Sequence, residues 1–88
     1  MCRNIRVLHN FEPPTTPDEI RAAALQYVRK VSGLAKPPQA DTAAFDAAID
    51  AVTAATTTLL EALTSRGNTR TREGEREKAA RRWQMRRP

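Results

Sequence analysis

Thr16-Pro17-Asp18-Glu19-Ile20-Arg21-Ala22-Ala23-Ala24-Leu25-Gln26-Tyr27-Val28-Arg29-Lys30-Val31-Ser32-Gly33 holds a helix start, an apolar stripe and a helix stop in one stretch. Thr16 can cap, Pro17 suits the first helical position, and Glu19 three residues beyond the cap can close a capping box. Ile20, Ala24, Tyr27, Val28 and Val31 then recur at helical spacing, with Arg21, Arg29 and Lys30 elsewhere around the wheel. Gly33 offers a left-handed end. The pattern predicts a helix over 17–32.

Working outward, Leu34 to Ala40 cannot continue that helix. Pro37 and Pro38 lack amide donors, and Pro37 pushes Lys36 towards an extended conformation. Asp41 or Thr42 can cap a second helix, expected over 42–65, in which Phe45, Ile49, Val52, Thr56, Leu59 and Leu63 fall at steps of 4, 3, 4, 3, 4. Ala48, Ala55 and Leu60 widen this stripe. The opposite face is Ala and Thr, and Ala47, Ala51 and Ala54 allow another helix to approach closely, which makes helix 42–65 a candidate homodimer face.

On the N-terminal side, Cys2, Ile5, Leu8 and Phe11 are spaced by three, favouring a short helix that leads into an extended Glu12-Pro13-Pro14-Thr15 segment. A short strand through Ile5 and Val7 is the competing reading. Beyond Leu63, Thr64-Ser65-Arg66-Gly67-Asn68 has the chemistry of a helix end. The chain after Asn68 has Ala79, Ala80, Trp83 and Met85 as its main apolar groups, too few to order the segment alone. The expected fold is all-α. A small helical hairpin with the N-terminal segment packed over it forms a domain over 1–65, and a flexible basic tail over 66–88 is disordered or a frayed helix.

Composition narrows the function. The chain has 88 residues and a formal net charge of +5, room for one small domain with a thin aliphatic core. Residues 1–65 carry six bases against seven acids, whereas 66–88 carry nine against three, so the positive excess lies in the last quarter. One cysteine rules out an internal disulfide, and with one histidine it rules out a Cys/His zinc site within a single chain. No cofactor is implied. No unbroken apolar run approaches the ~18 residues of a membrane span, and the start lacks a secretory stretch, so a soluble cytoplasmic protein without a membrane partner is expected.

Met1-Cys2-Arg3-Asn4-Ile5-Arg6, His9-Asn10-Phe11-Glu12-Pro13-Pro14 and the run from Ala24 to Gly33 resemble a family of small bacterial proteins known as domain of unknown function 2277. The resemblance covers roughly residues 1–65. It implies a small, helical, cytosolic bacterial protein and brings no activity, ligand or catalytic residue.

Two sets of residues could carry chemistry. Cys2 comes directly after an initiator methionine whose removal a small second residue permits, exposing a thiol beside an α-amine that can act as its base. Arg3 and Arg6 would favour its thiolate, and His9 with Glu12 could supply a base and an orienting group. A small helical hairpin offers little cleft for such chemistry, and paired carboxylates and a phosphate loop are absent from the segment. The second set is the tail, where Arg70, Arg72, Arg76, Arg81, Arg82, Arg86 and Arg87 surround Trp83. These are phosphate-pairing guanidinium groups around a ring that can stack on a base. The reading favoured is a non-enzymatic protein that contacts RNA or a ribonucleoprotein through this tail. A thiol-dependent enzyme or redox protein using Cys2 is the alternative. A dimeric ribbon-helix-helix regulator of DNA, presenting Asn4 and Arg6 from a strand, is a further one.

Overall fold

The computed structural model describes residues 4–86. Three helices occur in order: α1 (Pro17–Ser32), α2 (Thr42–Ala62) and α3 (Arg72–Arg86), with a 3-10 turn at Gln39–Asp41 leading into α2. The fold is all-α.

α1 begins and ends where its local chemistry directs. Thr16 Oγ1 accepts from the Glu19 amide at 3.2 Å, and Glu19 Oε1 accepts from the Thr16 amide at 2.9 Å, which completes the capping box. At the other end Gly33 takes φ 72°, and its amide donates to the Arg29 carbonyl at 3.0 Å. This backbone conformation is the one glycine adopts without a side-chain penalty.

The two prolines and the 3-10 turn reverse the chain, and α2 returns along α1. Asp41 occupies the cap position of α2 but its side chain makes no capping bond. Ala24 and Val28 of α1 meet Phe45 and Ile49 of α2, while Ile20 lies towards Leu60 and Phe11; among the described residues these five are the buried apolar ones. Leu25, Leu34 and Val52 pack at the margin of the Ala24, Val28, Phe45 and Ile49 cluster. Arg21 and Asp50 join the helices along one flank, Nη1 to Oδ1, at 2.7 Å.

The α2 seam departs from the expected heptad in its second half. Leu59 and Leu63 are 55% and 44% exposed, while Thr56 and Leu60 of the expected stripe are half-buried together with Thr53 and Thr57. A straight α-helix drifts about 20° per heptad relative to a 3.5-residue repeat, so the contact line moves from the Val52–Leu59 row towards Thr53, Thr57 and Leu60. The threonines tolerate that position because each hydroxyl donates to a carbonyl one turn back, Thr53 to Ile49 at 2.7 Å and Thr57 to Thr53 at 2.8 Å. α2 ends at Ala62 rather than near 65, with Leu63 already extended.

One expectation outside the hairpin needs correction. The N-terminal segment forms neither the short helix nor a strand through Ile5 and Val7. Its backbone groups pair with residues far along the chain instead. Glu12 N donates to Arg70 O at 2.9 Å, and Arg70 N donates to Asn10 O at 2.7 Å, joining Phe11 and Arg70 in a parallel bridge. Asn10 turns at φ 64°, and its side-chain amide donates to the Arg66 and Asn68 carbonyls. Leu8, Phe11 and Pro14 thereby lie over the open end of the hairpin, facing Ile20 and Leu60 around a hollow of about 480 Å³. Of the two forms expected for the tail, disordered or helical, the structure has the helix, over residues 72–86. α3 has no buried residue and packs against no other helix. What positions it is the bridge at Arg70 and the contacts of Arg72.

Candidate nucleic-acid interface

α3 starts at a polar cap. Thr71 Oγ1 accepts from the Gly74 amide at 3.0 Å, and Glu73 and Glu75 place negative charge in the first turn, where the helix dipole favours it. Gly74 suits this start because a Cβ there would stand 2.9 Å from the Thr71 hydroxyl.

Arg72, the first residue of α3, is the bolt that fixes the helix to α1. Its Nε donates to Glu19 Oε2 at 2.8 Å and its Nη2 to Glu19 Oε1 at 2.7 Å, a two-pronged grip on one carboxylate. Nη1 donates to the Pro13 carbonyl at 2.8 Å and Nη2 to that of Pro14 at 3.1 Å. The guanidinium carbon also stands 5.4 Å from the centre of the Phe11 ring, within cation–π range. The Glu19 carboxyl is lowered from 4.5 to about 2, chiefly by the hydrogen bonds from Arg72 and then by the Thr16 amide. Arg6 adds a longer ion pair to the same carboxylate at 3.5 Å. Arg70 is engaged too, donating from Nη1 to the His9 carbonyl at 2.7 Å.

The rest of α3 is sorted by helical phase. At about 100° per residue, Arg72, Arg76, Ala79, Arg82, Trp83 and Arg86 fall on one side, while Glu73, Glu77 and Arg81 fall elsewhere. The first six, with Glu75, line a groove of about 620 Å³ whose opposite wall is Ile5, Arg6, Val7, Leu8 and Phe11. Five arginines and two glutamates thus border it. Both acids are engaged, Glu19 by Arg72 and Glu75 by Lys78 at 3.2 Å. Arg76, Arg82 and Arg86 stand in no ion pair with a described residue. Trp83 is 57% exposed, and Ile5 and Val7 across the groove are 44% and 48% exposed.

The structure therefore divides the expected site. Arg76, Arg82, Trp83 and Arg86 are brought together on one face. Arg81 points to another side of α3, Arg70 and Arg72 bind internal acceptors, and Arg87 lies outside the described residues. Cys2 and Arg3 also lie outside them. His9 Nε2 donates to the Thr64 carbonyl at 3.2 Å, which ties it to the chain beyond α2, and the Glu12 contact in this region is made by its backbone. Among the described residues no group of three His, Cys, Asp or Glu side chains is placed to hold a metal ion. The grip of Arg72 on Glu19 and the apolar wall of the groove were missed in the sequence. Both join residues more than fifty positions apart, a separation that local spacing does not encode.

Comparison with known families gives one result. The family model described as "Uncharacterized conserved protein (DUF2277)" matches residues 1–78, and the chain belongs to that family. The match runs past the bridge and the Arg72 anchor and ends within α3, before Arg82, Trp83 and Arg86. No curated protein and no solved structure matches the chain.

Proposed function

We propose that this protein is a non-enzymatic RNA-binding protein that grips the phosphates of a single strand with Arg76, Arg82 and Arg86. The observation that carries this reading is the placement of these three arginines on one face of α3, outside any ion pair with a described residue, with Trp83 among them. The helical rise separates Arg76 from Arg82 by about 9 Å and Arg82 from Arg86 by about 6 Å along the axis, so they track a chain rather than a single point charge. The exposed part of the Trp83 ring offers a stacking surface at the same level. A flexible single strand suits an open groove with one apolar wall, because unstacked bases can turn towards Ile5 and Val7 while the phosphates meet the arginines.

The test is fluorescence anisotropy of a labelled single-stranded RNA titrated with the full-length protein over a series of salt concentrations. Three phosphate contacts give a slope of log affinity against log salt of about −2. The triple variant R76Q/R82Q/R86Q should flatten that slope and weaken binding, and W83A should weaken binding with little change of slope. Equal affinity for the triple variant and the unaltered protein would sink the reading.

A further inference from the structure

The hollow over the open end of the hairpin differs in chemistry from the groove of α3, although Leu8 and Phe11 border both. Its floor is apolar, formed by Leu8, Phe11, Pro14, Ile20 and Leu60, and among the described residues no lysine or arginine lines it. The one carboxylate that does is Glu61, which is exposed and in no ion pair with a described residue. At about 480 Å³ the hollow falls within the roughly 300–1,000 Å³ of small-molecule sites.

The polar side chains around that floor have nearly all their donors engaged inside the protein. His9 Nε2 donates to the Thr64 carbonyl at 3.2 Å, and the Asn10 amide nitrogen donates to the carbonyls of Arg66 and Asn68. The Thr15 hydroxyl donates to the Leu8 carbonyl, and that of Thr57 to the Thr53 carbonyl at 2.8 Å. Of the side chains that line the hollow, Ser65 alone keeps an uncommitted donor. What remains is a set of acceptors: the Glu61 carboxylate, the Asn10 side-chain oxygen, Nδ1 of the neutral His9 ring and the lone pairs of two threonine oxygens. The same bonds tie the wall at His9 and Asn10 to the chain beyond α2, so the hollow is shaped before anything enters it.

We infer that the hollow binds a small amphipathic ammonium, a primary amine on a hydrocarbon or aromatic body, with the cation at Glu61 and the body over Leu8, Ile20 and Leu60. A primary ammonium brings several N–H donors and the charge that Glu61 lacks a partner for. Its body removes the apolar floor from water. A carboxylate or phosphate would instead meet the Glu61 charge and a row of lone pairs, with the Ser65 hydroxyl as its sole side-chain donor. A metal ion would find one carboxylate and one imidazole, fewer protein ligands than such sites use. The site stands apart from the RNA reading, because Arg76, Arg82 and Arg86 line the groove and not the hollow.

Titration of the isotope-labelled full chain with phenethylammonium into the millimolar range, followed by amide chemical shifts, tests the inference. The expected result is a saturable shift centred on Leu8, His9 and Glu61. Phenethyl alcohol, with the same ring and no charge, should bind about tenfold more weakly, and hydrocinnamate, with the opposite charge, should give no saturable shift. E61Q removes the carboxylate without breaking any ion pair among the described residues, and should weaken the amine about tenfold while leaving the alcohol unchanged. R76Q/R82Q/R86Q should bind the amine as the unaltered protein does, whatever becomes of RNA. An absence of saturable shifts around the hollow overturns the inference, as does hydrocinnamate binding as tightly as the amine. Equal affinity of a folded E61Q for the amine overturns it too; if E61Q loses its helices by circular dichroism, the comparison of amine with hydrocinnamate on the unaltered protein decides the matter.

Discussion

Replacing Glu19 with glutamine separates two roles that one side chain fills. Glutamine can still close the capping box with Thr16, so α1 keeps its start. What it removes is the charge gripped by Arg72 at 2.7 and 2.8 Å and approached by Arg6 at 3.5 Å. The fall of the Glu19 carboxyl from 4.5 to about 2 sets an upper bound of about 3 kcal/mol on the stabilisation. The Glu19 side chain is 19% exposed and solvent screens part of this, so E19Q should cost about 1–2 kcal/mol at neutral pH. For a chain of this size each kcal/mol lowers the melting temperature by about 4–8 °C. The direction of the shift sets the pH dependence. Above about pH 5 the carboxylate is ionised in both folded and unfolded chains, and its full contribution is present. As the pH falls from 4.5 towards 2, the unfolded chain takes up a proton that the folded chain refuses, and the contribution drains away. Thermal melts of wild type and E19Q monitored by circular dichroism should therefore differ most above pH 5 and converge near pH 2. Curves that stay a fixed distance apart across that range, or coincide at pH 7, would refute the reasoning.

Other positions give further expected outcomes. Thr71→Ala removes the oxygen that caps α3 and should destabilise that helix by about 1 kcal/mol, read as lost ellipticity at 222 nm while the melting of the hairpin is unchanged. Ile49→Ala opens a cavity in the small core, which holds five buried apolar side chains among the described residues, and should cost about 2–5 kcal/mol, seen as a large drop in the urea midpoint. Gly33→Ala meets no atom within 4 Å, so its cost of about 1 kcal/mol comes from the left-handed backbone at φ 72° and should appear as a modest fall in melting temperature. Arg70→Gln removes the contact to the His9 carbonyl and should speed amide exchange at Glu12 and Arg70, whose amides form the bridge, more than at Ala24 in the core.

Local chemistry explains which parts of the fold could be read from the chain. The capping box at Thr16 and the glycine at 33 act within a single turn, and α1 runs over the 16 residues they delimit. The reversal at Pro37 and Pro38 and the pairing of two apolar stripes are also short-range signals. The second half of the α2 seam was misjudged because a heptad pattern assumes that two helices coil around each other. Thr53 and Thr57 take part because each hydroxyl donates to a carbonyl one turn back, a bond that a hydrophobic pattern does not display. The N-terminal segment and α3 were hidden for another reason. Asn10, Phe11 and Glu12 meet Arg70, and Glu19 meets Arg72, and neither side of these pairs has a periodic pattern that announces the other. Half of the arginine site was legible as composition; its division into internal clamps and groove residues required the helix phase and the Glu19 contact.

Anchored at Arg72 and packed against no other helix, α3 is a lever. Its 15 residues make an arm about 22 Å long. A rotation of about 10° at the anchor moves Arg76 by about 1 Å and Arg86 by nearly 4 Å, in proportion to the distance of each from the pivot. Any such rotation would change the width of the groove shared with Ile5 and Val7 most where Arg82, Trp83 and Arg86 lie. In the RNA-binding reading proposed above, one end of the protein would set position while the other fitted its gape to the strand.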